Sequence, residues 1–132
     1  RVFIPAVSAF LVFGSAVAQE GTQDFQNRPL SSKTRAEVLT GLRSSNWGEH
    51  RIADALAKLD TAPTIPADPE VVDAFATLGA ACKRAGHALR EKIHVGDRWV
   101  AASAIAKGVP LFARDRIYVG APGLVLWSDQ DE

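Results

Sequence analysis

Short apolar runs alternate with segments of helical period along most of this 132-residue chain, and that alternation leaves few folds open. Val109 to Phe112 is a compact apolar run, and Gly123 to Trp127 is a second. Arg28 to Ser31 and Thr64–Ile65 leave room for two brief strands more. Helices fill the gaps. Ser31 or Ser32 caps one that runs to about Arg43, with Ala36, Leu39 and Leu42 on one face. Trp47 to Leu59 carries Ile52, Leu56 and Leu59 at helical spacing. Pro69 suits the first turn of a third helix, which continues to about Ala85 and ends at Gly86. Its apolar stripe is Val72, Phe75, Leu78 and Ala81–Cys82. Asp97 opens a fourth helix that ends near Gly108. Helices set between short apolar strands predict an α/β fold with a mostly parallel sheet.

Length and composition narrow the function classes. A chain of this size is expected to form one domain. Lys plus Arg equals Asp plus Glu at 15 each, so the net charge is zero. That balance excludes a histone-like or polybasic binder and leaves room for a local basic patch. An apolar content of 47% excludes wholesale disorder. Cys82 stands alone, so neither a disulfide scaffold nor a Cys-rich zinc module is available, and His50, His87 and His94 are too scattered to repair the latter. One free thiol fits a reducing compartment.

Residues 2–18 carry no charge and end in Ala16-Val17-Ala18, the outline of a secretory leader. Pro5 and Gly14 interrupt the stretch, which is slightly short for a spanning helix. The reading taken here is a buried strand from Val2 to Ile4 that turns at Pro5 into a helix from about Ser8 to Ala18. A secreted protein with an uncleaved leader is the weaker alternative.

Three acids are placed where chemistry is possible. Ligands of open parallel sheets bind beyond the carboxyl ends of the strands. Glu37 lies in the first turns of the helix after Arg28–Ser31, Asp97 opens the fourth helix, and Asp115 lies three residues past Phe112. If their strands are neighbours, three carboxylates meet on one sheet edge. Clustered carboxylates repel unless a cation neutralises them. Oxygen donors of this kind select Mg²⁺ or Mn²⁺, which activate water and support phosphoryl displacement. The plain alternative is that such acids are helix-dipole partners or turn formers. Cys82 lies on an apolar helix face, which points to core packing rather than catalysis.

The stretch GDRWVAASAIAKGVPLFARD, from Gly96 to Asp115, resembles the C-terminal motif of PIN-domain nucleases, in particular the VapC toxins of bacterial toxin–antitoxin pairs. Asp97 matches the third acid of that family and Asp115 the fourth. SSKTRAEVLTGL resembles the upstream motif and places Glu37 as the second acid. Tyr118 matches an aromatic that follows the fourth acid, and GAPGLVLW resembles the closing loop and strand. The resemblance spans about the whole chain and implies a three-layer PIN-like fold.

One departure stands out. The family's first strand ends in Asp-x-Ser or Asp-x-Asn, and aligning Ser8 with that Ser puts Ala6 where the first acid belongs. A second register puts Pro5 there. Ala113 also replaces the usual Thr. The resemblance implies a cytoplasmic endoribonuclease toxin using Mg²⁺ or Mn²⁺ held by Glu37, Asp97 and Asp115, with activity impaired at position 6. Arg98, Arg114 and Arg116 would contact RNA, and the basic run Lys83, Arg84, His87, Arg90, Lys92, His94 adds positive surface. Trp47 and Trp99 are candidates for base stacking, although aromatics at helical spacing are more often core. The implied partners are a cognate antitoxin, RNA and a second copy of the chain, with no membrane. The competing expectation is a non-catalytic RNA- or partner-binding module on a degenerate PIN fold.

Overall fold

The computed structural model describes residues 9–11 and 29–127. In chain order it contains β1 (Ala9–Leu11), β2 (Leu30–Ser31), α1 (Ser32–Arg43), α2 (Glu49–Leu59), β3 (Thr64–Ile65), α3 (Pro69–Ala85), α4 (Val95–Lys107) and β4 (Leu111–Ala113). Single 3-10 turns occupy Ala88–Arg90, Lys92–His94 and Arg116–Tyr118. The result is a mixed helix and strand architecture with a small parallel pair, compatible with the expected α/β class.

Local chemistry sets the helix ends. Ser31 caps α1, its side chain accepting from the Thr34 N–H at 3.1 Å. Asp68 caps α3 in the same way through Val71 N–H at 3.0 Å, with Pro69 in the first turn. Helix α4 ends at Gly108, whose φ of 65° lies in the left-handed region that other residues adopt at a cost. The Trp47–Leu59 helix is shorter than its sequence pattern. It begins at Glu49, because Gly48 is the extended cap residue. Trp47 stays outside, half-buried, with the Arg51 guanidinium 4.8 Å from its ring centre.

Helix α4 is the centre of the packing. Val100, Ala101, Ala102, Ser103 and Ala104 are consecutive and all buried. Five successive residues sweep more than a full turn, so this helix is covered on every side. The three alanines of that run let neighbours approach closely. Helix α3 lies against it, bringing Leu78 and Cys82 into one core with Leu89, Leu111 and Tyr118. Phe75 of α3 and Trp99 of α4 stack with centroids 3.7 Å apart and planes 16° apart, so Trp99 belongs to this packing rather than to a base-binding surface. A second cluster, Leu30, Val38, Leu42, Ala55, Leu59 and Ala62, joins α1 to α2 beneath β2.

The strands depart from expectation in three places. Residues 9–11 form a strand inside the span predicted as helix from Ser8, since periodicity does not separate short apolar runs into helix and strand. The predicted Val2–Ile4 strand lies outside the described residues. β1 pairs with β4 antiparallel, Phe10 opposite Phe112, where a parallel neighbour was expected, whereas β2 and β3 pair in parallel. The predicted last strand, Gly123 to Trp127, is reduced to one parallel bridge between Leu126 and Leu111. Gly123 is left-handed and Val125 is exposed, while Leu124 and Leu126 pack against the core, so the segment keeps an inward face and pairs only around Leu111. Among the described residues, no helix is long and apolar enough to cross a membrane.

A tie between elements makes stability depend on acid. Lys107 near the end of α4 donates to Asp68 Oδ2 at 2.8 Å and to Glu70 Oε1 at 3.1 Å. The Lys107 hydrogen bond, then the Val71 N–H, hold the Asp68 carboxyl below its ordinary value. A depressed carboxyl contributes stability above the ordinary carboxylate range and loses it as pH falls through its folded value. Asp68→Asn keeps a capping side chain and loses the charge pair. Urea midpoints across a pH series are expected to show the wild type ahead of this variant near neutrality, with the gap closing in acid.

Candidate functional site

Three elements deliver acids to one face. Glu37 projects from the second turn of α1, and Asp97 from the first turn of α4. Asp115 follows β4 and caps the Arg116–Tyr118 turn, accepting from Ile117 N–H at 3.0 Å. Among them lies Tyr118, whose ring is buried and whose hydroxyl donates to Asp97 Oδ1 at 3.2 Å. Burial, first, and then the negative charge of Asp97 push the Tyr118 phenol well above its ordinary value. A hydrogen bond to Asp97 adds to this, followed by the charges of Asp115 and Glu37. Of the three acids singled out in the sequence, Asp97 is hydrogen-bonded to this phenol, and Asp115 and Glu37 reach it by charge alone.

Two side chains that sequence reasoning did not place in the site complete it. Lys33 Nζ lies 2.6 Å from Glu37 Oε2 and 3.6 Å from Asp97 Oδ1. The signal for the first contact was present as a Lys and a Glu four residues apart on one helix. Nothing local to the sequence announces the second. His94 ends the basic run that the sequence marks as positive surface. Its Nδ1 is 3.3 Å from Asp97 Oδ2, so Asp97 is addressed by an imidazole, an ammonium and a phenol at once.

The arginines divide. Arg114 and Arg116 are exposed on either side of Asp115. Arg98 points elsewhere. Its Nη1 donates to Leu89 O at 3.1 Å and Arg90 O at 3.4 Å, and its guanidinium lies 4.7 Å from the Phe75 ring centre. Adjacent residues on a helix diverge by about 100°, so the neighbour of Asp97 in sequence faces α3 and the connector. The guanidinium expected to meet phosphate is instead committed within the fold. His87 is structural as well. Leu89 N–H donates to its Nδ1 at 3.1 Å, so Nε2 carries the proton toward Val119 O at 2.8 Å. Lys83, Arg84, Arg90 and Lys92 of the basic run are exposed. Ala6 and Ser8 lie outside the described residues.

A divalent cation of the Mg²⁺ type needs several oxygens aimed at one point. Glu37 and Asp97 are aimed at the Lys33 ammonium, and Asp115 is turned to a backbone N–H. Among the described residues, no three His, Cys, Asp or Glu side chains are placed to hold one ion. In this arrangement the residues do not fit the expected ion, and their chemistry is charge balance around a buried phenol. Tyr118→Phe should keep the packing and lose the Asp97 hydrogen bond. A stability loss of about 1 kcal/mol is expected by chemical denaturation, since Asp97 is part-exposed and water replaces part of the bond. In the wild type, ultraviolet absorbance should show the phenol ionising only as the chain unfolds in alkali.

No protein-family model matches the chain, and no curated protein matches it by sequence. The fold has a counterpart among solved structures. A chain in the crystal structure of VapBC2 from Rickettsia felis, bound to a DNA fragment from their promoter, superposes with a TM-score of 0.63 at 21% identity. The match covers 75% of this chain and 72% of that one. At that identity the likeness shows a shared fold.

Proposed function

We propose that this chain is the toxin-type component of a toxin–antitoxin pair, a PIN-type protein directed at RNA phosphodiesters whose hydrolytic activity is weakened at Ala6. The observation that carries this reading is that Glu37 and Asp97 meet at the Lys33 ammonium while the Tyr118 hydroxyl donates to Asp97. Those four residues come from the two motifs that resemble the VapC family, far apart in sequence and adjacent in space. The fold shared with a chain of a VapBC2 complex supports the same reading and makes an antitoxin protein the natural partner. A cytoplasmic homodimer is part of the proposal. Arg114 and Arg116, exposed beside Asp115, are the phosphate contacts it assigns, with the basic run from Lys83 to Lys92 extending the positive surface.

One observation favours a second reading, the non-catalytic RNA- or partner-binding module. An ammonium already balances Glu37 and Asp97, which leaves the pair without need of an ion. The toxin reading takes Mg²⁺ or Mn²⁺ as cofactor for a chain with its first acid restored.

The two readings separate in a cleavage assay on total RNA with Mn²⁺ or with EDTA. Ala6→Asp is expected to cut discrete sites with Mn²⁺ only, and the unmodified chain to cut weakly or not at all. Adding Asp97→Asn to Ala6→Asp should abolish the cutting. If Ala6→Asp and the alternative register, Pro5→Asp, are both silent, the binding module replaces the nuclease.

A further inference from the structure

Lys33 is not placed by chance of a long side chain on a surface. Its stem crosses α4 at Gly96, where an added Cβ would stand 2.6 Å from Lys33 Cε and 3.5 Å from both Cδ and Nζ. The glycine thus clears a groove that the lysine fills. The side chain is about a quarter exposed, as is that of its partner Asp97. From there Nζ reaches one carboxylate on its own helix and one on α4. Two carboxylates this close destabilise each other unless a positive charge stands between them. The fold supplies that charge covalently, at the point where both acids aim.

We propose that Lys33 is the built-in counter-cation of the Glu37–Asp97 pair, seated over Gly96 so that it competes with a divalent ion for these two carboxylates and weakens its binding. This rests on the reading that this face carries the acids of the hydrolytic site, and it adds a means of keeping that site's metal affinity low. A divalent ion at the pair has to displace the ammonium or endure its repulsion. The competition is local, because screening weakens charges that are part-exposed and distant. His94 donates to Asp97 from the other side, and Tyr118 holds its remaining oxygen, so the carboxylate stays fixed when the lysine is removed.

The test is calorimetric titration of Mn²⁺ into EDTA-stripped, dialysed protein, a readout independent of RNA cleavage. Lys33→Gln removes the charge and keeps much of the stem. Gly96→Ala leaves the lysine in the sequence and pushes its flexible end off the groove, and alanine within a helix does not weaken it. Both variants are expected to bind one Mn²⁺ per chain more tightly than the wild type, on the order of tenfold, the scale of losing one like charge beside a part-exposed site. Lys33→Arg should stay as weak as the wild type. Adding Asp97→Asn to Lys33→Gln should remove the gained binding. Wild type binding Mn²⁺ as tightly as both variants, or neither variant gaining affinity while folded by circular dichroism, overturns the proposal. Should Lys33→Gln not fold, Gly96→Ala decides alone. Silence of both Ala6→Asp and Pro5→Asp on RNA would end the nuclease reading and leave this titration unchanged, so the two failures are distinguishable.

Discussion

Burial of α4 on every side is the constraint on which the rest of the structure depends. A helix covered all round has no solvent face to give it rotational freedom, so its orientation is set by several neighbouring elements at once. Its small residues let α3 close in, and the Phe75–Trp99 stack sets their register. With the axis fixed, the first turn has one place to be. Asp97 is delivered beside α1 and beneath the turn that follows β4, and Arg98 is delivered to the opposite side against Phe75. The same rigidity that stabilises the core aims the carboxylate.

Around that carboxylate the electrostatics are balanced without residue from outside the chain. Asp97 receives hydrogen bonds from Tyr118 and His94 and a positive charge from Lys33. Each donor comes from a different element: α1, the connector before α4, and the turn after β4. The network therefore ties these three segments to one carboxylate. It also keeps the Tyr118 hydroxyl satisfied at the edge of the core, where an unpaired phenol would be costly to bury.

Most of the helical architecture was legible. Ser31, Pro69, Gly86 and Gly108 mark helix ends by chemistry that acts within a few residues, and the structure has them in those roles. The strands were less so. Ala9–Leu11 reads equally as helix or strand, because a short apolar run has no period to measure. Gly123–Trp127 reads as a strand and supports one bridge, its strand-type backbone bonds running only to Leu111 on either side of Leu126. In the site, Glu37, Asp97 and Asp115 stood out by position relative to strands and helices. Arg98 was misjudged because sequence adjacency on a helix is angular separation in space.

The sequence by itself determined the helix ends at Ser31, Pro69, Gly86 and Gly108, the neutral charge balance and the three acids, since propensity, capping and composition are properties of short segments. Only the tertiary structure decided that the Tyr118 hydroxyl meets Asp97, that β1 runs antiparallel to β4, and that Lys33 lies across Gly96 against Asp97. These are contacts between segments dozens of residues apart. They depend on how α1 and the closing turn are docked on a central helix, and packing of that kind is a property of the assembled core that no single segment encodes.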